Sequence, residues 1–97
     1  MAGMEAIDIL SKKYSMSRED FIKFGSTLAL KEKKRNLQIE KLEILARYGA
    51  GTVQELEEKI KGGTAPEHPG WEDLIEVKNI ESEIVEIEND IRMLQAI

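Results

Sequence analysis

The stretch Val77-Lys78-Asn79-Ile80-Glu81-Ser82-Glu83-Ile84-Val85-Glu86-Ile87-Glu88-Asn89-Asp90-Ile91-Arg92-Met93-Leu94 decides the fold. Val77, Ile80, Ile84, Ile87, Ile91 and Leu94 fall at alternating intervals of three and four without a miss, the spacing that lines apolar side chains along one stripe of an α-helix. A stripe of this kind has to be covered by another helix. It is too short for a confident free-standing coiled coil, so a helical hairpin or bundle is its natural setting. Between the seam residues stand Glu81, Glu83, Glu86, Glu88 and Asp90, with only Lys78 and Arg92 as counter-charges. Such a surface welcomes a basic neighbour.

A neighbour of matching length lies upstream. Ser17 is a good N-cap, able to accept from the free amide of Asp20, and Glu19 and Asp20 sit where the helix dipole favours negative charge. From Arg18 to Tyr48 there is no proline and only Gly25 as a weak point, so residues 18–48 read as one long helix, with a bend allowed at Gly25. Gly49 and Gly51 end it, the first as the left-handed C-terminal residue. Before it, Ile7, Leu10 and Tyr14, with Ile9 beside them, describe a short amphipathic helix over 5–14. After it, Thr52 and Glu55 form a capping box for a short helix over 53–61 with a Val53, Leu56, Ile60 stripe, closed by Gly62 and Gly63. The segment 64–70, with Pro66, Pro69 and Gly70, reads as a loop, and the seam helix then runs over 71–96.

Two helices of roughly 45 and 39 Å exceed the roughly 34 Å diameter of a compact domain of this size. The fold should therefore be elongated. On the second helix Leu30, Leu37, Ile44 and Tyr48 group on one side, Leu28, Ile39 and Leu42 almost opposite, and Leu45 between. One partner helix cannot cover both stripes. The expectation is an all-α, elongated helical hairpin with short flanking helices, a single domain over 1–97, that dimerises into a helical bundle. Leu37, Leu42, Ile44 and Leu45 of the second helix, with Ile80, Ile84, Ile87 and Ile91 of the last, then supply core and dimer contacts. The alternative cover for the second stripe is the pair of short helices folding back over it.

Composition narrows the chemistry. The chain has no cysteine, which excludes disulfides, thiolate metal sites and cysteine nucleophiles. His68 is the only histidine, so no conventional zinc or haem site can be assembled, and no cofactor is expected. Gly49-Ala50-Gly51 and Gly62-Gly63 lack the spacing and lysine of a phosphate loop. The carboxylates of the last helix read as its solvated face rather than an acid–base pair, and the protein is read as non-enzymatic. With no apolar run of about 18 residues and no leader-like segment, a cytoplasmic location and no membrane contact are expected.

Charge divides unevenly: residues 1–50 hold ten Lys/Arg against seven Asp/Glu, and residues 51–97 hold four against twelve. The run Lys31-Glu32-Lys33-Lys34-Arg35, through Lys31, Lys33, Lys34 and Arg35 and together with Lys12, Lys13, Arg18 and Lys23, could form a nucleic-acid footprint, with a solvated face or a mate for the acidic last helix as the favoured alternative. Trp71, the one tryptophan, is either a plug where the loop meets the helices or an anchor for a partner.

Positions 5–33 resemble the two helices of ribbon-helix-helix proteins. Ile7, Leu10 and Tyr14 look like the first helix, Met16 the turn residue, Ser17 the cap, and Phe21, Ile22, Gly25 and Leu30 the second helix. The position of that family's DNA-reading strand holds only Met1-Ala2-Gly3. The remainder, with Ala46-Arg47-Tyr48-Gly49, Thr52 to Glu58 and Pro69 to Leu74, is similar to small archaeal-type antitoxin-like helical proteins. That resemblance implies an acidic helix that occupies a basic toxin, without catalysis.

The leading expectation is a protein-interaction module binding a basic protein partner through Trp71, Glu83, Glu86 and Asp90. The competing one is a DNA-binding regulator using the basic half. Both need the seam intact: Ile84→Asp should place an unpaired charge in it and cost several kcal/mol, seen as loss of the cooperative thermal transition in circular dichroism.

Overall fold

A computed structural model describes residues 3–97, and every one of its regular elements is helical: α1 Gly3–Lys13, α2 Arg18–Ala46, α3 Val53–Lys61 and α4 Glu67–Gln95. Met1 and Ala2 of the supposed strand position lie outside the described residues, and Gly3 begins α1. The first helix thus starts two residues before the expected 5 and ends at Lys13 rather than 14. The second ends at Ala46, not 48, because Arg47 and Tyr48 already belong to the turn. The third matches the expected 53–61.

The last helix departs most from its expected 71–96. One turn forms at Glu67, the backbone leaves helical geometry at His68 (φ −121°, ψ 124°) and Pro69, and the long run resumes at Gly70. The residue before a proline is driven out of the helical region by the proline ring, which explains the break.

Local chemistry sets the ends. Ser17 accepts from the Asp20 amide at 3.0 Å and Thr52 from the Glu55 amide at 3.1 Å. Glu55 reaches back to accept from the Gly51 N–H at 2.8 Å, so the box closes one residue earlier than its usual form. Three helices stop in the same way. Ser15, Gly49 and Gly63 take positive φ, and the amides of Met16, Ala50 and Thr64 donate to the carbonyls of Ser11, Leu45 and Lys59, the six-to-one bond that uses up orphan carbonyls at a helix end.

α2 and α4 run antiparallel as the two arms of a hairpin. Lys34 meets Glu88 at 3.2 Å and Lys41 meets Glu81 at 3.5 Å, a seven-residue step up one helix matched by seven down the other. α3 packs on α4, and α1 packs on the start of α2. The principal extents are 60 × 26 × 18 Å and the radius of gyration 19.6 Å, against about 13 Å for a compact domain of this length. The elongation expected from helix length is present.

The core lies at the α3 end of the hairpin: Ile44 and Leu45 of α2, Ala50, Val53, Leu56 and Ile60 around α3, Ala65, and Leu74, Val77, Ile80 and Ile84 of α4, with Leu37, Tyr48 and Trp71 packed against it. Gly70 lets the start of α4 touch α3: a Cβ there would sit 3.1 Å from Ile60 Cγ1. Ile87 and Ile91 continue the buried seam toward the open end.

Leu42, of the stripe opposite to that of Leu37 and Ile44, is 57% exposed and lies on the side of α2 turned from α4, outside the core of the single chain. One expectation needs correction. In α1 the residue that buries is Ser11, at 2% exposure, while Leu10 and Tyr14 of the expected stripe are exposed. The Ser11 hydroxyl can bury because it donates to the Asp8 carbonyl at 3.1 Å.

Leu56, fully buried, should lose about 3 kcal/mol as Leu56→Ala. Ile75→Ala, on the exposed outer face of α4, should stay within about 0.5 kcal/mol. Urea denaturation of both variants checks the contrast.

Candidate functional site

Of the residues that the sequence singled out, the structure sets Trp71 apart from the acidic set and brings that set against Lys33 of the basic run. Trp71 sits at the core end, half-buried against the apolar cluster. Glu83, Glu86 and Asp90 follow on the same helix, about 18 to 28 Å further along its axis. They form no single patch with Trp71. What they do form is one wall of a groove of about 440 Å³ between the long helices, with Lys33 on the opposite wall and Leu30, Leu37 and Ile87 beneath.

The groove follows from helical spacing. Leu30, Lys33 and Leu37 recur at three and four on α2, and Glu83, Glu86, Ile87 and Asp90 do so on α4, so each set projects along one flank of the hairpin. Leu30 and Leu37 are half-buried and Ile87 is buried, whereas Lys33 and the three carboxylates are exposed. The result is an apolar floor under a rim of three negative charges and one positive.

The opposite flank is neutralised within the chain. Lys34 and Lys41 pair with Glu88 and Glu81. The basic neighbour that the acidic helix called for is α2 itself. A smaller groove of about 200 Å³ on this flank is lined by Lys31, Lys34, Glu88, Ile91 and Arg92. Arg35 points elsewhere again, making two bonds to Glu32 at 3.1 and 3.0 Å; these bonds, and the charge behind them, hold the Glu32 carboxyl below the usual carboxylate range. The four cationic residues of the run thus occupy three sides of the helix, not one surface.

The closed end of the hairpin carries a polar clamp that sequence reading missed. The Tyr48 hydroxyl donates a short hydrogen bond to the Asp73 carboxylate, and Arg47 Nη1 stands 3.7 Å from the same group. The only hint was the position of Tyr48, Arg47 and Asp73 at facing helix ends. Burial, and then the Asp73 carboxylate that accepts its proton, push the Tyr48 phenol up to about 12. Beside the clamp, His68 Nδ1 lies 2.8 Å from Glu72. The Glu72 carboxyl is held below its ordinary value by its own backbone N–H and then by His68. Among the described residues no three metal-ligating side chains converge, and no helix is long and apolar enough to cross a membrane.

The fold and groove define a small, elongated, all-α hairpin protein. The chain belongs to the Uncharacterized protein MJ0235 family, whose model matches residues 4–96. No curated protein and no solved structure matches it. The comparisons thus return a family of archaeal-type name, and neither a ribbon-helix-helix protein nor an antitoxin.

The clamp has a pH signature. Because the folded-state value of Tyr48 lies above the ordinary phenol value of about 10, its contribution is complete below about pH 10 and is lost as pH rises through about 12. Tyr48→Phe should cost about 1 kcal/mol at pH 7. Thermal melts should show the gap between wild type and variant closing over that alkaline window.

Proposed function

We propose that this protein is a non-catalytic protein-interaction module that receives a basic, amphipathic segment of a partner protein in the groove between α2 and α4, and that it does so as a homodimer. The observation that carries the reading is the groove's composition: Leu30, Leu37 and Ile87 below, and Glu83, Glu86 and Asp90 against a single Lys33 at the rim. A helix of the partner with apolar residues at three-and-four spacing and Lys or Arg flanking them satisfies both parts. Its cations meet a net negative rim, and its apolar face covers half-buried leucines. Charge complementarity of this kind speeds encounter, while the apolar contact sets the lifetime of the complex.

An antitoxin-like role, in which the basic partner is a toxin, is one instance of this reading. The observation that bears on nucleic acid is the placement of the cations. Lys34 is paired with Glu88 and Arg35 with Glu32, and Lys33 faces carboxylates, so these three cations of the run do not line up as one strip along a phosphate backbone. Self-association is favoured by a separate observation: Leu28, Ile39 and Leu42, the second stripe of α2, remain 51%, 42% and 57% exposed. Neither short helix covers them.

Charge reversal at Glu83, Glu86 and Asp90 to Lys tests the groove, with a basic partner captured from the native host as ligand and association followed in real time. The reversal should slow association about tenfold or more at low salt and abolish its salt dependence, with helicity unchanged. An unchanged rate, or cross-links from the partner that avoid α4, would overturn the reading. A duplex-DNA mobility shift by the unmodified protein at low salt would instead favour the regulator.

A further inference from the structure

The outward face of α2 carries a pattern that reads nearly the same in both directions. Phe24, Leu28, Glu32, Arg35, Ile39 and Leu42 follow one another at intervals of four, four, three, four and three. At about 100° per residue they fall within about 80° of one another around the helix. Phe24, Leu28, Ile39 and Leu42 are 58%, 51%, 42% and 57% exposed, and Glu32 and Arg35 are exposed as well. The apolar residues thus flank a central pair of opposite charge, and the whole runs about 27 Å along the axis.

Taken about a point midway between Lys33 and Lys34, the pattern is self-complementary. Leu28 maps onto Ile39, Glu32 onto Arg35, and Phe24 onto the position next to Leu42. A two-fold axis at that point, with a second copy of α2 running antiparallel, brings Leu28 against Ile39 and Glu32 against Arg35, with Phe24 one residue out of step beside Leu42 at each end. Any shift of register by about a turn sets a charge against a leucine or phenylalanine. A parallel pairing sets Glu32 on Glu32 and Arg35 on Arg35.

Area points the same way. The chain exposes 6782 Å², whereas a compact monomer of its mass exposes about 5,600 Å². The excess of about 1,200 Å² exceeds the roughly 800 Å² that each partner contributes to a standard interface. The stripe lies on the far side of α2 from α4, so its occupation leaves the groove open.

We propose that the occupant of this face is a second copy of the chain, joined through an antiparallel α2–α2 contact whose two-fold axis passes between Lys33 and Lys34. The intrachain Glu32–Arg35 pair of each copy then meets its symmetry mate, and four charges of alternating sign close the centre of the interface. Leucine, isoleucine and phenylalanine seal it on both sides. The inference rests on the homodimer reading and adds its surface and register.

The test uses the full chain. Light scattering at micromolar concentration should give twice the 11.0 kDa of one chain; a monomer overturns both the homodimer reading and this interface. Leu28→Lys should yield the monomer with circular dichroism unchanged, since Leu28 is half-exposed. Glu32→Arg and Arg35→Glu should each raise the dimer dissociation constant about tenfold or more, and the two together should restore it to within about threefold. Single-cysteine variants Asp20→Cys and Glu43→Cys, informative because the chain has no cysteine of its own, report the register through spin-label distances. These should be about 40 and about 30 Å, growing by about 3 Å for each residue away from the axis. A dimer with equal, short distances at both sites, or one that the charge exchange fails to restore, overturns the register while leaving self-association standing.

Discussion

The antiparallel contact between α2 and α4 carries two kinds of complementarity in one register. The apolar seam of α4 is covered by Leu37, Ile44 and Leu45, and at the edge of that same contact Lys34 and Lys41 reach Glu88 and Glu81. Surface ion pairs of this type stabilise by about 0–1 kcal/mol each, so they do not hold the hairpin together. Their effect is selective: a slip of one helical turn would set lysine against the wrong side chain while leaving the apolar contact largely intact. Hydrophobic burial supplies the stability, and charge chooses the register.

From that contact follow the rest of the molecule's features. A helix paired along one side leaves its other side uncovered, and two helices far longer than a compact domain's diameter leave a great deal uncovered. α3 and the turns around it cap one end, where Leu56 and Val77 are wholly buried and the Tyr48–Asp73–Arg47 clamp closes the edge. At the other end, residues 21–37 of α2 contribute no fully buried side chain. The hairpin is thus closed tightly at one end and more thinly packed at the other.

The two flanks of the hairpin differ for a simple electrostatic reason. On one, each carboxylate of the pairs has a lysine within reach. On the other, three carboxylates face one lysine across a groove with an apolar floor. The asymmetry between the halves of the sequence is therefore partly spent inside the molecule, and three of the carboxylates left over line the groove. The outer face of α2 is different again, with leucine and phenylalanine about a central Glu32–Arg35 pair. Three sides of one helix thus meet three environments.

Much of this was legible from local patterns. The three-and-four spacing from Val77 to Leu94, the Ser17 and Thr52 caps, and the glycines at 49 and 63 specify helices and their ends, because periodicity and capping act within a few residues of the chain. The two opposed stripes on the second helix likewise follow from spacing alone, as does the elongated shape from helix length. What the tertiary structure decided was pairing. Leu37 and Leu42 are equally apolar in sequence, and only the choice of the face that meets α4 buries the one and exposes the other. Glu81 and Glu83 are two residues apart, yet one has a lysine partner and the other lines an open groove. Burial of Ser11 and the bond between Tyr48 and Asp73 depend on groups brought together from distant parts of the chain or on how one helix enters against another. Helical periodicity fixes which residues share a face, but it carries no information on what that face will meet, and that is set by the packing of the whole.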